Sequence, residues 1–329
     1  MLKPFSNMIH RRGGGYYNEI TILKVIATLF ITWFHFKWNV PEQYAPLFIG
    51  GAIGNSLFFF CSGYLLKIKS ERYPGEWLIQ KLIRILPSVW VYMGITLLLG
   101  VATYNWNNII YPTPYWFVNA ILCFFVIFYL FRQQIDKFPC VSYCIVGILH
   151  ISWYVINGPY DKIVMDEGGL KCWFFFFIFF LYGYAVHKNT KKAVALKYAL
   201  LGTICSIGAF YLYKTLCNRF DLLIHLQVII IPLILWLIIF FFYALAMHIA
   251  KIDINDKIKR ILSHLSNLTL DIYIVQIILI NYFMPKISFP INIIITFMII
   301  IATAYVNNTI AGKISDIIKD SLKPKTNTL

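Results

Sequence analysis

Long apolar stretches recur along the chain, and short polar segments separate them. About 20 mostly apolar residues are enough for an α-helix to cross the hydrocarbon core of a membrane. The pattern therefore predicts an all-α, polytopic membrane protein with about ten transmembrane helices in one bundle. The predicted spans cover residues 17–38, 47–66, 82–102, 115–131, 140–157, 172–187, 194–213, 223–249, 266–284 and 289–309.

The composition supports this fold class. Hydrophobic residues make up 60% of the 329 positions and charged residues only 13%, whereas a soluble domain carries about 25% charged residues. The mean hydropathy is +0.70. Because the spans leave little room for a separate soluble domain, we expect a single membrane domain over residues 1–329, with a cytoplasmic lead-in at 1–16 and a cytoplasmic tail at 312–329.

The lysines and arginines are distributed unevenly between alternate loops. With the amino terminus in the cytoplasm, 22 of the 29 fall inside and 6 outside, while Lys24 stands within a span. Because basic loops stay in the cytoplasm, this bias predicts ten spans with both termini inside. The formal net charge of +15 resides in short loops, which is typical of contacts with membrane lipid or phosphate and argues against a nucleic-acid partner.

The first predicted span, EITILKVIATLFITWFHF, contains two polar groups that a lipid-facing helix does not need, Lys24 and His35. Eleven residues correspond to about three full turns, so both side chains are predicted on one helix face, about 16 Å apart. A charged group within a span usually faces the bundle interior or a wet cavity. The alternatives are that Lys24 extends back to the membrane surface and that His35 is a structural histidine.

Two segments near the amino-terminal end add further polar positions. The second span contains GNSLFFFCSGYLL, in which Ser62 belongs to a set of small residues that permit close helix contact. The segment KLIRILPSVW places Lys81 and Arg84 three residues apart, and therefore on one helix face, at the cytoplasmic mouth of the third span. Contact with lipid headgroups is the alternative interpretation of these two cations.

Four more polar or aromatic positions lie in later spans. Trp116 and Asn119 fall in PYWFVNAIL, which opens the fourth span with an aromatic belt. Asp271 and Gln276 interrupt the apolar run SNLTLDIYIVQIILI of the ninth span. We therefore include all four among the candidate functional or supporting residues.

These segments together resemble the type-3 acyltransferase family of integral membrane acyltransferases. Its first span carries Arg, ten residues and then His, and Lys24 and His35 have that spacing here. LFFFCSGYLL is similar to the family's FF-x-x-SG-[FY]-LL signature, and KLIRILPSVW to its R-x-x-R-I-x-P element. YWFVNAIL is similar to its W-[FY]-[LIV] segment, and LTLDIYIVQ to its S-[LY]-x-IYL-x-H element.

The chain departs from the family pattern at three positions. Lys24 stands in place of arginine and lacks the bidentate fork of a guanidinium. Thr21 stands where many members have aspartate, and Gln276 replaces a histidine that could take a proton.

The resemblance implies about ten spans and transfer of an acyl group, often acetyl, from acyl-CoA to a sugar hydroxyl. We expect His35 as the general base, because the unperturbed pKa of histidine, roughly 6.5, lies near working pH. A covalent acyl-histidine step is an open alternative. We expect Lys24, Lys81 and Arg84 to bind the acyl-CoA donor, and Ser62, Trp116, Asn119, Asp271 and Gln276 to support the substrate or the structure.

The expected partners are therefore acetyl-CoA or another acyl-CoA as co-substrate, a glycan or lipid-linked sugar as acceptor, and membrane lipid. No permanently bound cofactor and no metal are expected, since the seven cysteines show no metal-type pairing with histidine. We expect a multi-pass location in a cell membrane, namely the bacterial inner membrane, and leave open whether the protein forms a homodimer.

Two other functions fit the same spans. Intramembrane Lys24, Asp271 and Gln276 would suit a polysaccharide transporter or export protein, although transporters commonly show repeat symmetry, which this sequence lacks. A non-catalytic scaffold of a glycan-assembly complex would tolerate the changed arginine and histidine positions.

Overall fold

The computed structural model describes residues 18–66, 74–104, 115–164, 173–188 and 194–322. Within these ranges the regular structure is helical, and no strand occurs. The ten long helices of the described ranges are α1 Glu19–Phe36, α2 Gly51–Tyr64, α3 Glu76–Leu98, α4 Trp116–Lys137, α5 Pro139–Ile156, α6 Trp173–Lys188, α7 Leu196–Cys217, α8 Asp221–Ile249, α9 Asp256–Phe283 and α10 Ile291–Ser321.

Each predicted span overlaps one of these helices. Nine helical segments in the described ranges are long and apolar enough to cross a membrane, and Phe174–Lys188 is a shorter apolar helix. The all-α polytopic fold predicted from the sequence is therefore confirmed.

The helix ends differ from the predicted span ends. The second helix begins at Gly51, after a 3-10 segment Glu42–Leu47 that contains Pro46. The ninth begins at Asp256 and the tenth continues to Ser321, beyond the predicted end at residue 309. Hydropathy marks only the portion suited to hydrocarbon, whereas a helix continues into polar sequence wherever its backbone groups stay paired. The lead-in at 1–16 and the end of the tail, 323–329, lie outside the described residues.

The chain divides into two compact units. The first unit falls within Met1–Lys37, Glu42–Leu66 and Gln134–Thr269, and the second within Trp38–Pro41, Lys67–Gln133 and Leu270–Leu329. The division passes through α4 and α9. The prediction of a single membrane domain stays a prediction.

In the first unit, glycines bring α2 and α6 into backbone contact. A Cβ atom placed on Gly63 would lie 1.9 Å from the carbonyl oxygen of Phe180, and one on Gly183 would lie 2.0 Å from that of Phe60. No side chain fits at such distances, so the two glycines permit the approach. Gly54 permits a similarly close approach of α2 to α1, because a Cβ atom on Gly54 would lie 2.7 Å from the carbonyl oxygen of Ala27.

In the second unit, α10 supplies hydrogen bonds to α3 around Pro87. Proline has no N–H, so the carbonyl of Ile83 four residues earlier loses its partner within the helix. The hydroxyl of Ser315 lies 3.0 Å from that carbonyl and 2.8 Å from the carbonyl of Ala311 in its own helix. A side chain from a neighbouring helix thereby satisfies the group that Pro87 leaves exposed.

Candidate active site

The start of α1 is stabilised by a side-chain cap. Asn18 Oδ1 accepts hydrogen bonds from the backbone N–H of Thr21 at 2.9 Å and from its hydroxyl at 3.1 Å. Such a cap satisfies one of the N–H groups that lack a partner in the first turn of a helix. Thr21 is buried and takes part in this cap.

Lys24 is half-buried one turn further along α1. Its ammonium donates to the carbonyl oxygen of Ser266 in α9 at 2.5 Å. The hydroxyl of Thr269 also contacts that carbonyl, at 3.1 Å. Lys24 therefore connects α1 to the part of α9 that belongs to the first unit.

His35 lies in the last turn of α1 and is half-buried. Its Nδ1 atom is 2.8 Å from the backbone carbonyl oxygen of Ile31. A carbonyl oxygen only accepts hydrogen bonds, so Nδ1 carries the proton and Nε2 is the accepting nitrogen of the neutral ring. The ring of Phe34 lies edge-on, with the centroids 5.7 Å apart. Chemically, such an imidazole is oriented to take a proton at Nε2.

A tyrosine cluster joins four helices, α1, α2, α6 and α8, near the start of α1. The hydroxyl of Tyr64 donates to Glu19 Oε1 at 3.1 Å, and the hydroxyl of Tyr243 lies 3.4 Å from that of Tyr64. The His187 ring packs edge-on against Tyr64 at 5.0 Å. Ser62, in the same helix as Tyr64, bonds within its own helix to the carbonyl oxygen of Phe58 at 2.9 Å.

The basic pair of the second unit lies in the first half of α3. Arg84 is exposed, whereas Lys81 is half-buried. The Lys81 ammonium lies 5.1 Å from the ring centroid of Trp77 and 5.2 Å from that of Phe125 in α4. Cation–π contacts of this kind hold the ammonium in place without neutralising its charge.

Asp271 is a buried carboxylate held by two amides. Its Oδ1 accepts from Asn307 Nδ2 at 2.8 Å and its Oδ2 from Asn308 Nδ2 at 2.6 Å. Asn307 Nδ2 also lies 3.0 Å from the backbone oxygen of Ser88 in α3. The carboxylate of Asp271 therefore links α9 to α10. Asn307 extends this link to α3, at the residue that follows Pro87.

The remaining predicted residues are buried or half-buried in the second unit. Trp116 is half-buried at the start of α4, and Gln276 is fully buried in α9. Asn119 is 2% exposed, and neither atom of its amide has a hydrogen-bond partner among the described residues.

The structure thus places the predicted residues in two groups. Lys24, His35 and Ser62 belong to the first unit, and Lys81, Arg84, Trp116, Asn119, Asp271 and Gln276 to the second. The sequence reasoning missed Asn307, Asn308 and Ser315. Asn307 and Asn308 are adjacent amides within the tenth apolar stretch, and this pattern could have marked them as candidates. The sequence pattern does not identify the groups that they contact. Within the described ranges, no three His, Cys, Asp or Glu side chains cluster as a metal site requires.

The helices and their composition define a polytopic all-α membrane protein with polar groups inside its spans. A family model described as an acyltransferase domain, that of the acyltransferase 3 family, matches residues 17–307. Because the match covers most of the chain, the protein belongs to this family of membrane acyltransferases. No curated protein and no solved structure matches the chain significantly.

Proposed function

We propose that this protein transfers an acetyl group from acetyl-CoA to a hydroxyl of a surface or exported polysaccharide or glycolipid, with His35 as the general base. The observation that carries the proposal is the 2.8 Å contact between His35 Nδ1 and the carbonyl of Ile31. It makes Nε2 the nitrogen that accepts the proton of the attacking hydroxyl.

The reaction follows from this assignment. As Nε2 takes the proton, the hydroxyl oxygen attacks the thioester carbonyl and a tetrahedral oxyanion forms. The oxyanion then collapses, the C–S bond breaks, and the CoA thiolate leaves with the proton from His35. The products are the acetyl ester and free CoA.

The donor carries several phosphate charges, so cations are the groups suited to bind it. We assign this role to Lys81 and Arg84, and we assign Lys24 to the pantetheine arm. With both termini in the cytoplasm, His35 lies about 24 Å along α1 from Glu19, toward the outer end of the helix. This position favours an acceptor on the outer face, such as a lipid-linked or nascent surface glycan. The location we propose is the bacterial inner membrane.

The test is transfer of labelled acetyl from acetyl-CoA in membranes that contain the full chain. We expect His35→Ala to lower transfer by about a hundred-fold or more, the usual contribution of a general base. His225→Ala, which removes an exposed histidine of α8, should leave transfer unchanged. Normal acetylation of the glycan with His35→Ala would support the scaffold instead, and glycan export without acetyl transfer would support the transporter.

A further inference from the structure

A continuous row of cations and aromatic rings, Lys81, Trp77, Tyr129 and Arg132, joins α3 and α4 in the second unit. Beyond the contacts of Lys81, the rings of Trp77 and Tyr129 stack at 6.1 Å with 10° between their planes. The guanidinium carbon of Arg132 lies 5.5 Å from the centroid of Tyr129. Tyr129 also accepts a hydrogen bond from the N–H of Gly75, just before α3, at 2.8 Å. Arg132 is therefore brought to the same end of the second unit as Lys81.

Among the described residues, the charges of Lys81 and Arg132 are not neutralised by a carboxylate, because neither side chain forms an ion pair with one. The acidic residues nearest in sequence have other contacts: Glu76, near Lys81, accepts a hydrogen bond from Gln80 at 3.2 Å, and Asp136, near Arg132, accepts one from Lys188 at 2.5 Å. Two positioned cations without carboxylate partners attract a multiply charged anion.

The rings differ from those of an interfacial aromatic belt. Trp77 and Phe125 are each 5% exposed, whereas belt residues sit at the lipid headgroups. The buried rings of Trp77 and Phe125 hold Lys81, and the half-buried ring of Tyr129 holds Arg132. Arginine offers five N–H donors whose geometry matches phosphate.

We propose that Arg132 binds a phosphate of the acyl-CoA donor together with Lys81 and Arg84, so that the donor nucleotide lies across the ends of α3 and α4. This rests on the proposed function, because it takes acyl-CoA as the donor. The charge bias places this end of both helices in the cytoplasm, where acyl-CoA is made. Anionic lipid headgroups share the same phosphate chemistry, and the experiment separates the two sources.

The experiment measures equilibrium binding of tritiated acetyl-CoA to the purified full chain in detergent. We expect Arg132→Gln to weaken binding by about ten-fold or more, since a charge-assisted hydrogen bond to phosphate is lost. Arg132→Lys should recover part of the loss. Lys137→Gln is the matched control, because it removes an exposed cation at the same helix end, about 140° around the helix. It should change binding by less than about two-fold.

A second binding measurement uses a donor analogue that lacks the nucleotide. S-acetylpantetheine, which has no phosphate, should bind the wild type and Arg132→Gln equally, because the contact proposed for Arg132 is absent. A loss that persists with this compound, or binding of Arg132→Gln equal to that of Lys137→Gln, overturns the proposal. A lipid contact would give a different result, which also overturns the proposal. Arg132→Gln would then keep its affinity for acetyl-CoA, and phosphatidylglycerol in nanodiscs would no longer stabilise the protein against unfolding.

The same measurements distinguish this proposal from the proposed function. If acetyl-CoA binding depends on Arg132 but no acetyl is transferred, the phosphate site stands and the proposed reaction falls. If acetyl is transferred and Arg132→Gln binds acetyl-CoA normally, the reaction stands and the phosphate site falls. Failure of the wild type to bind acetyl-CoA overturns both.

Discussion

Two buried amides of the second unit differ in how they are bonded. Asn307 is 1% exposed and donates to Asp271 and to the backbone of Ser88, whereas the amide of Asn119, at 2% exposure, has no partner among the described residues. A buried amide without partners costs about 1–3 kcal/mol, so its presence calls for an explanation such as a ligand or an ordered water. Asn119 also lies one turn from Tyr115, so the two residues share a face of the helix start.

We therefore predict opposite effects of the same substitution at the two amides. Asn119→Leu should raise the melting temperature of the purified protein, because it removes a buried polar group that lacks a partner, and should lower acetyl transfer. Asn307→Leu should lower the melting temperature, because it leaves Asp271 with one of its two amide donors. Thermal unfolding in detergent together with the transfer assay measures both. A lower melting temperature for Asn119→Leu would contradict the prediction, because it would mean that the amide of Asn119 stabilises the purified protein.

At the scale of elements, a proline in one helix is matched by a hydroxyl in another. Pro87 leaves the carbonyl of Ile83 without its intrahelical partner, and Ser315 lies 3.0 Å from it. Ile83 stands between Lys81 and Arg84, so this bond also holds the segment that carries the basic pair. Asn307 reinforces the contact through the backbone of Ser88.

A double-mutant cycle tests this pairing. Ser315→Ala in the wild type should lower the free energy of unfolding by about 1 kcal/mol, the net contribution of one hydrogen bond. Pro87→Ala restores the N–H that Ile83 lacks, so Ser315→Ala should cost much less in that background. Thr309→Ala removes a hydroxyl that bonds within its own helix to Tyr305, and its effect should be the same in both backgrounds. Equal losses for Ser315→Ala in both backgrounds would contradict the pairing.

At the scale of the whole molecule, the fold was more predictable than the site. Ten apolar stretches predict ten helices because the length that crosses a membrane is set by the hydrocarbon core. The partner of Lys24 was not predictable, because Ser266 lies 242 positions away and offers a backbone carbonyl, a group that every residue has. The role proposed for Arg132 was not predictable for the same reason. Arg132 contacts Tyr129 in its own helix, and only the stacking of Tyr129 on Trp77 of α3 connects it to Lys81. Periodicity identifies the elements, whereas pairings between elements depend on how they pack.

The orientation of the whole chain is the remaining prediction, and it decides which face meets the donor. If both termini are cytoplasmic, the 37–46 segment is external and the 250–255 loop is internal. In a background without the seven native cysteines, Glu42→Cys and Asp253→Cys provide reporters at exposed polar positions. A membrane-impermeant maleimide added to intact spheroplasts should label residue 42, and residue 253 only after lysis. The reverse pattern would turn His35 toward the cytoplasm, and an acceptor on the outer face would then be ruled out whatever the reaction.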